Sequence, residues 1–190
     1  MSNLDTLRER NRRFADTDAK DHVPVPVLPN CRAYLITCID PRVDPAAVLG
    51  VGLGDALVAR CAGGRVTADV VRDVAWICHL HQVLAPEGDW FDIAVVHHTE
   101  CGASLLADDD VRTDFATRVG ASEADLARLA VVDPAHTVGL DVDVLLASPG
   151  LAPQVTVSGW TYDVQTGLVT QVVAPRSRAA VVAPRGVDVR

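Results

Sequence analysis

The sequence predicts an α/β domain with a mostly parallel four-stranded sheet, one additional edge strand, and helices flanking the sheet. Short, continuously apolar segments recur along the chain, as in strands that are buried on both faces. Segments with the apolar spacing of helices lie between them, and this alternation is typical of parallel sheets. The length of 190 residues suits one domain with a substantial core.

The N-terminal region is predicted to form a charged helix followed by an extended arm. Residues 3–20 have helical character, but their large apolar residues are too sparse for a core stripe. Repeated prolines in residues 22–29 exclude a helix there and favour an extended linker. A helix at the end of such an arm is interpreted as packing on a partner subunit, and a simple surface helix is the alternative.

The strands are predicted where apolar runs end at turn residues or at a polar cluster. The candidates, in chain order, are Ala33–Cys38, Ala56–Cys61, Phe91–His97, Val155–Thr161 and Leu168–Val173. The last two are joined by residues 163–167, which are rich in turn formers, and are interpreted as a hairpin or as a strand followed by an edge strand.

The helices are predicted between these strands from apolar spacing and capping residues. Residues 67–83 have helical spacing, with Thr67 as the N-cap. Further helices are predicted to start at or just after Cys101, within residues 111–131, and within residues 134–148, where a proline occupies the first turn. Residues from 174 onward show no periodicity and are expected to be loose or to lie on a neighbouring subunit.

Composition excludes several functional classes. The formal net charge of −8 argues against a nucleic-acid-binding surface, which is normally basic. No segment approaches about 18 consecutive apolar residues, and the N-terminus lacks the apolar stretch of a signal peptide, so a cytoplasmic protein without a membrane partner is expected. Five cysteines in that compartment favour metal binding or free thiols over disulfides. Cys31, Cys61 and Cys78 are interpreted as small buried residues.

Two clusters of metal-ligating and ionisable residues follow predicted strands. Cys38 ends the first strand and is followed by Asp40 and Arg42. His98 and Cys101 follow the third strand in the same way. Because functional groups of parallel sheets gather at the carboxyl ends of the strands, one edge can present Cys38, His98 and Cys101 together. Two thiolates and one imidazole suit zinc with an open fourth position, as in catalytic zinc sites.

Asp40 and Arg42 have the chemistry of an acid–base pair beside a metal. Pro41 cannot continue a strand ladder, so it turns the chain and directs Asp40 back toward the metal. Asp40 is the candidate acceptor for a hydrogen bond from water, and Arg42 would keep it ionised and oriented. The start of a helix is expected to lower the pKa of Cys101, and Gly102 is expected to permit close approach of the backbone.

These motifs resemble those of the β-class carbonic anhydrases. The similarity covers most of the chain, and it is carried by Cys38-x-Asp40-x-Arg42, by His98-x-x-Cys101-Gly102 and by the intervening residues 54–64. Cys61 stands where the family commonly has asparagine, a departure that affects no zinc ligand. The short chain and the segment from His97 to Gly102 are similar to the compact branch of the family.

The resemblance implies a β-carbonic-anhydrase-like fold and reversible hydration of carbon dioxide to bicarbonate and a proton, with one Zn²⁺ per subunit. It implies Cys38, His98 and Cys101 as zinc ligands. It also implies Asp40 and Arg42 as a catalytic dyad, and a homodimer or higher even-numbered homo-oligomer. Some family members have a closed state in which the aspartate displaces water from zinc, and the sequence leaves open which state Asp40 adopts.

Two alternative functions remain open from the sequence. Hydrolysis of carbonyl sulfide (COS) or carbon disulfide (CS2) would use the same zinc set, as in some relatives. A non-catalytic zinc-binding homologue is the remote alternative, because a structural zinc needs a fourth ligand and no acid–base pair. His97 is interpreted as a hydrogen-bonded residue behind the site. The predicted organisation is an N-terminal helix and arm at 1–30, a zinc-binding catalytic domain at 31–175 and a C-terminal tail at 176–190.

Overall fold

The computed structural model describes residues 4–20 and 29–178 of the chain. In chain order the helices and strands are α1 (Asp5–Ala15), β1 (Ala33–Cys38), α2 (Pro45–Val48), β2 (Ala56–Cys61), α3 (Ala68–Leu84), β3 (Asp92–His98), α4 (Asp109–Val119), α5 (Glu123–Arg128), α6 (Pro134–Ala147), β4 (Thr156–Tyr162) and β5 (Val169–Ser177). Short 3₁₀ segments lie at Asp18–Lys20, Pro41–Val43, Ala62–Gly64 and Gly102–Ala107.

The five strands form one sheet in the order β2-β1-β3-β4-β5. The first four are parallel to one another, and β5 runs antiparallel to β4 at the edge. This confirms the predicted sheet and its additional edge strand. However, β5 extends to Ser177, which pairs with Thr156, so the first residues of the expected tail belong to the sheet. Residues 179–190 of that tail lie outside the described residues.

Both long helices pack on the same face of the sheet, and the direction of the strand connections explains why. Right-handed crossovers place their helices on one face when the chain moves one way across the sheet, and on the other face when it moves back. The connections β2–α3–β3 and β3–α6–β4 both move toward β5, and α3 and α6 share one core cluster. The connection from β1 to β2 moves the opposite way and carries only the short α2 over the second face.

Strand alternation divides the core between the two faces. Tyr34 and Ile36 of β1 point into the main cluster beneath α3 and α6, whereas Leu35 points into a smaller cluster on the second face. The smaller cluster includes Cys38 and Cys101, so it holds the site motifs. Among the other cysteines the prediction of burial holds for Cys78 only, because Cys61 is partly buried and Cys31 is exposed.

The predicted helices form with small differences in their bounds. Thr67 precedes α3 in the N-cap position, although its side chain makes no capping hydrogen bond. The region 111–131 contains two helices, α4 and α5, because Gly120 ends the first in the left-handed conformation and Ser122 caps the second. The helix predicted within residues 134–148 is α6, and it is capped by Asp133, whose carboxylate accepts two backbone N–H bonds.

The N-terminal helix is shorter than predicted. α1 ends at Ala15 and is followed by a 3₁₀ turn, and none of its residues is buried. The predicted extended arm, residues 22–29, lies almost entirely outside the described residues. No helix within residues 4–20 or 29–178 is long and apolar enough to span a bilayer.

Candidate active site and metal centre

Cys38, His98 and Cys101 converge at one edge of the sheet. Cys38 ends β1 and His98 ends β3, and these neighbouring parallel strands finish side by side. Cys101 follows in the loop after β3. The three candidate ligand atoms lie within 4.8 Å of one another, and all three residues are buried. The structure therefore brings together the three ligands that the sequence predicts.

The imidazole of His98 is oriented as a metal ligand would be. Its Nδ1 lies 2.8 Å from the Thr99 carbonyl oxygen, which can only accept, so Nδ1 carries the proton. The other nitrogen, Nε2, is buried and has no hydrogen-bond partner among the described residues. An unpaired buried polar atom costs about 1–3 kcal/mol, which a metal ion bound between Nε2 and the two sulfurs would relieve. The donor set therefore fits zinc.

The two sulfurs lie within hydrogen-bond distance of each other. The Sγ atoms of Cys38 and Cys101 lie 3.9 Å apart. The hydrogen bond between the two thiols lowers the pKa of Cys38, and backbone N–H groups of Asp40 and Gly63 act in the same direction. The same hydrogen bond, with burial, raises the pKa of Cys101. The backbone N–H of Ala103, at the start of the 3₁₀ segment, lowers the pKa of Cys101 as the sequence predicts, but the hydrogen bond with Cys38 and burial outweigh it.

Gly64 is the position at which the backbone around the site requires glycine. Its φ is +69°, and a Cβ atom there would lie 3.0 Å from the backbone nitrogen of Cys38 and 3.1 Å from the carbonyl oxygen of Val96. A Cβ atom on Gly102 would meet nothing within 4 Å. The expectation of a close approach at Gly102 is wrong, and the close approach occurs at Gly64 instead.

Gly64→Ala is expected to lower the free energy of unfolding by at least about 3 kcal/mol, because backbone strain and overpacking add. Gly120→Ala is the matched control: its φ is +67° but nothing lies within 4 Å of the added Cβ. That control is expected to lose only the strain contribution, about 1 kcal/mol. Urea unfolding of both variants measures the difference, and equal losses would show that contact with Cys38 and Val96 costs nothing.

Asp40 and Arg42 form a two-pronged ion pair beside the ligands. Arg42 donates from Nε to Oδ1 of Asp40 at 3.0 Å and from Nη2 to Oδ2 at 2.8 Å. The backbone N–H of Arg42 also donates to Oδ1, at 2.9 Å. These hydrogen bonds lower the pKa of Asp40 to about 2. The backbone N–H of Asp40 in turn donates to Sγ of Cys38 at 3.4 Å. This hydrogen bond ties the residue that carries the ionised carboxylate to the first candidate ligand.

Glu100 is a site residue that the sequence analysis missed. Its carboxylate accepts a hydrogen bond from Nη1 of Arg42 at 3.1 Å, and its carbonyl oxygen accepts one from Nη2 at 3.0 Å. Glu100 has a φ of +55°, which is uncommon for a residue other than glycine. Its location between His98 and Cys101 was the available signal, but an exposed glutamate in a turn has no distinctive pattern.

Arg60 is the second missed residue, and it fixes the backbone of the loop after β1. Its Nε donates to the carbonyl oxygen of Cys38 at 3.0 Å, and its Nη2 donates to that of Asp40 at 2.7 Å. Its Nη1 donates to the carboxylate of Asp44 at 2.6 Å. The signal for Arg60 was its place within residues 54–64, which carry part of the family resemblance.

His97 lies behind the site, as predicted. Its Nε2 is 3.1 Å from a carboxylate oxygen of Asp141 and 3.2 Å from the carbonyl oxygen of Gly64. Arg65 donates to both oxygens of Asp141, at 2.8 and 2.9 Å. Burial alone would raise the pKa of Asp141, but the hydrogen bonds from His97 and Arg65 lower it. This buried network supports Gly64, and through it Cys38, from the far side of the sheet.

A mostly apolar cavity of about 310 Å³ opens beside the ligands. Its walls include Ile39, Asp40, Ala62, Gly102, Ala103 and Leu106. A small uncharged molecule can therefore approach the three ligand atoms along apolar surface and meet the ionised Asp40 at the same place.

Comparisons with known proteins find a matching family and similar sequences. The family described as carbonic anhydrase matches residues 33–128 of the chain. Beta-carbonic anhydrase 1 of Mycobacterium tuberculosis is 28% identical over 149 residues, which cover 78% of this chain and 86% of that protein. A carbon disulfide hydrolase of Acidithiobacillus thiooxidans is 27% identical over 158 residues, covering 73% of this chain and 75% of the relative.

Solved structures agree with the sequence comparisons. The carbonic anhydrase of Streptococcus mutans superimposes with a TM-score of 0.73 at 32% identity, covering 90% of this chain and 98% of that one. The apo form of a carbon disulfide hydrolase shares the fold, with a TM-score of 0.61 at 23% identity and 98% of each chain covered. The chain therefore belongs to the carbonic anhydrase family, in its β class.

Proposed function

We propose that the protein is a zinc-dependent carbonic anhydrase that interconverts carbon dioxide with bicarbonate and a proton. Cys38, His98 and Cys101 would hold one Zn²⁺ per subunit. The observation that carries the proposal is the unpaired, buried Nε2 of His98, in a residue that clusters with the two cysteines and lies beside the ionised Asp40–Arg42 pair. The described residues supply three ligand-type side chains to this cluster, the number typical of catalytic zinc sites.

The residues of the chain would divide the chemistry as follows. Zinc, when bound, supplies the Lewis acidity that activates water at neutral pH. Asp40 is ionised above a pKa of about 2, so it accepts hydrogen bonds and would orient the attacking water. Arg42 holds both oxygens of that carboxylate and so limits its rotation. The apolar cavity walls suit carbon dioxide, which carries no charge.

Hydrolysis of COS or CS2 is the second candidate function. It is favoured by the similarity to carbon disulfide hydrolases, and those relatives are about as similar in sequence as the mycobacterial carbonic anhydrase. The three gases are to be compared on the purified zinc-loaded protein, by stopped-flow hydration of carbon dioxide and by sulfide release. Fast hydration with little sulfide is expected, and the reverse result would replace the first candidate by the second.

Asp40→Ala is expected to lower kcat for carbon dioxide hydration by at least about 100-fold, the usual contribution of a positioned acid–base group. Zinc content is expected to stay at the level of the parent protein, because the three ligands are unchanged. Asp73→Ala, an exposed carboxylate on α3, is the control and should retain activity. Unchanged hydration in Asp40→Ala would show that Asp40 has no catalytic role. If the parent protein were itself inactive, the result would favour a non-catalytic zinc protein.

The proposal includes assembly into a homodimer or higher even-numbered homo-oligomer, in which α1 packs on a partner subunit. α1 has only 11 residues, fewer than an isolated helix in water usually needs, and it exposes Leu7 and Phe14. The sheet face opposite α3 and α6 has a groove of about 460 Å³, whose lining includes Leu35, Ala94 and Trp160. Nε1 of Trp160 is buried there without a hydrogen-bond partner among the described residues.

Sedimentation velocity of the full chain tests this assembly. The parent protein is expected to sediment as an even-numbered oligomer, and Leu7→Glu with Phe14→Glu is expected to weaken it, because charges would replace the apolar contacts of α1. The control variant is Arg8→Glu with Arg10→Glu, which changes two exposed arginines of the same helix. It adds negative charge to α1 but removes no apolar contact, so the oligomer is expected to persist. An oligomer unaffected by the first pair would show that α1 is a surface helix.

The domain division and location follow from the same proposal. Residues 1–30 would form the helix and arm, residues 31–175 the catalytic domain, and residues 176–190 the tail, of which the first two complete β5. The proposal places the protein in the cytoplasm, where its five free cysteines would remain reduced.

A further inference from the structure

We propose that Glu100 and Gln165 are positioning residues for the catalytic pair: they hold the guanidinium of Arg42 in the orientation that keeps Asp40 beside the metal ligands. The inference rests on the proposed function, since Asp40 and Arg42 matter as a pair only if the site is catalytic. It assigns a role to the turn between β4 and β5, residues 163–168, which contributes no candidate metal ligand to the site.

The guanidinium of Arg42 is held on two sides. Nε and Nη2 donate to the two oxygens of Asp40, at 3.0 and 2.8 Å. Nη1 donates to the carboxylate of Glu100 at 3.1 Å, and Nη2 donates to its carbonyl oxygen at 3.0 Å. A planar guanidinium fixed along two edges cannot turn about its own side chain without breaking several hydrogen bonds at once. Because the Arg42 side chain is 47% exposed, Asp40 alone would leave its outer edge to solvent.

Glu100 is itself held from outside the site. Nε2 of Gln165 donates to the second carboxylate oxygen of Glu100 at 2.6 Å. The backbone N–H of Val164 donates to the hydroxyl oxygen of Thr99 at 3.0 Å. The turn therefore anchors residues 99 and 100 together, and the left-handed φ of Glu100, an uncommon conformation for a side-chain-bearing residue, is stabilised by these contacts.

The turn is rigid enough to serve as this anchor. The carboxylate of Asp163 accepts hydrogen bonds from the backbone N–H groups of Gln165 at 2.8 Å and Thr166 at 3.0 Å. The carbonyl oxygen of Asp163 also accepts a hydrogen bond from the backbone N–H of Gly167 at 2.8 Å, and its own N–H donates to the carbonyl oxygen of Leu168 at 2.9 Å. Such side-chain-to-backbone bonds fix a turn locally, without support from the rest of the domain. A continuous chain of contacts thus leads from the turn through Glu100 to Arg42 and Asp40.

Glu100→Gln tests the charge-assisted part of this chain. The variant keeps the size of the side chain and the carbonyl contact to Arg42, but it removes the negative charge. Glu123→Gln is a closely matched control, because both glutamates have 49% exposed side chains and lie within 4.0 Å of an arginine, Arg112 in the control. We expect kcat for the preferred gas to fall about tenfold in Glu100→Gln with KM within about twofold, and neither to change in Glu123→Gln.

The second measurement reports on the Arg42 side chain directly, through solvent exchange of its Nε–H proton. Its Nε–H resonance, assigned by its loss in Arg42→Lys, is recorded by ¹⁵N NMR in zinc-loaded and zinc-free protein. Solvent exchange of this proton is expected to be slow in the parent and at least about tenfold faster in Glu100→Gln. Gln165→Leu should show a smaller acceleration, and Glu123→Gln none.

The outcomes separate the inference from the proposed function. Unchanged Arg42 exchange in Glu100→Gln and Gln165→Leu overturns the inference, and so does faster exchange with unchanged kcat. If Glu100→Gln does not fold, Gln165→Leu applies the same test from the outer contact. A parent protein that turns over none of the three gases refutes the proposed function, while Arg42 exchange in the variants still decides whether Glu100 and Gln165 hold the guanidinium.

Discussion

Cys101→Ala is expected to abolish zinc binding and to lower carbon dioxide hydration by at least about 1,000-fold, since activation of water by the metal is lost with the metal. Cys101 is 2% exposed and contributes one of only three ligand-type side chains to the cluster. Cys38 and His98 alone cannot complete a tetrahedral site with one open position. Zinc content after dialysis, measured by mass spectrometry, and stopped-flow hydration check both effects.

The other cysteines provide matched controls for that result. Cys31 is exposed and Cys78 is buried in the main core, and neither lies in the ligand cluster. Cys31→Ala and Cys78→Ala should therefore bind zinc as the parent does, although Cys78→Ala loses some core packing. One zinc ion per subunit in Cys101→Ala would refute the metal assignment itself.

Asp141→Asn is expected to lower the free energy of unfolding by about 3 kcal/mol, because it leaves a buried charge without its partner. Asp141 is 2% exposed, and Arg65, which donates to both of its oxygens, is 7% exposed. The neutral amide can accept hydrogen bonds but cannot balance the guanidinium. Urea unfolding with linear extrapolation, at the same zinc content for each protein, measures the loss.

Asp143→Asn on the same helix is the control for this prediction. Asp143 pairs with Arg176 at 2.8 Å, but its side chain is 65% exposed, so its loss should cost less than about 1 kcal/mol. Because folding lowers the pKa of Asp141, its contribution to stability is complete above the unfolded pKa of about 3.9 and is lost as the pH falls through the folded value. Equal losses in the two variants would show that the buried network adds nothing.

Most of the sheet could be predicted from the sequence, because strand character is a local property of apolar runs. The bounds of β1 and β2 agree with the prediction, and β3 and β4 differ by one residue. The end of β5 could not be predicted in this way. Its last residues, up to Ser177, are ordered by pairing with β4 and not by their own composition.

The candidate ligands and the catalytic pair could also be identified from the sequence. Two cysteines, a histidine, an aspartate and an arginine have distinctive chemistry, and each lies at the end of a strand or shortly after it. Glu100 and Arg60 could not be identified, because an exposed glutamate and a strand arginine gain their roles only from groups that the fold brings beside them. The choice of Gly64 over Gly102 likewise depends on how closely β1 and β3 approach that turn.

The sequence by itself therefore determined the strands, their order of appearance and the donor set, since residue type and spacing are local. The tertiary structure decided that the two thiols meet, which residues hold Arg42, and which face of the sheet α3 and α6 cover. These depend on distances between groups that are remote along the chain: Cys38 and Cys101 are 63 residues apart, and Arg65 and Asp141 are 76. Hydrogen bonds and packing contacts act over a few ångströms, so only the folded chain settles them.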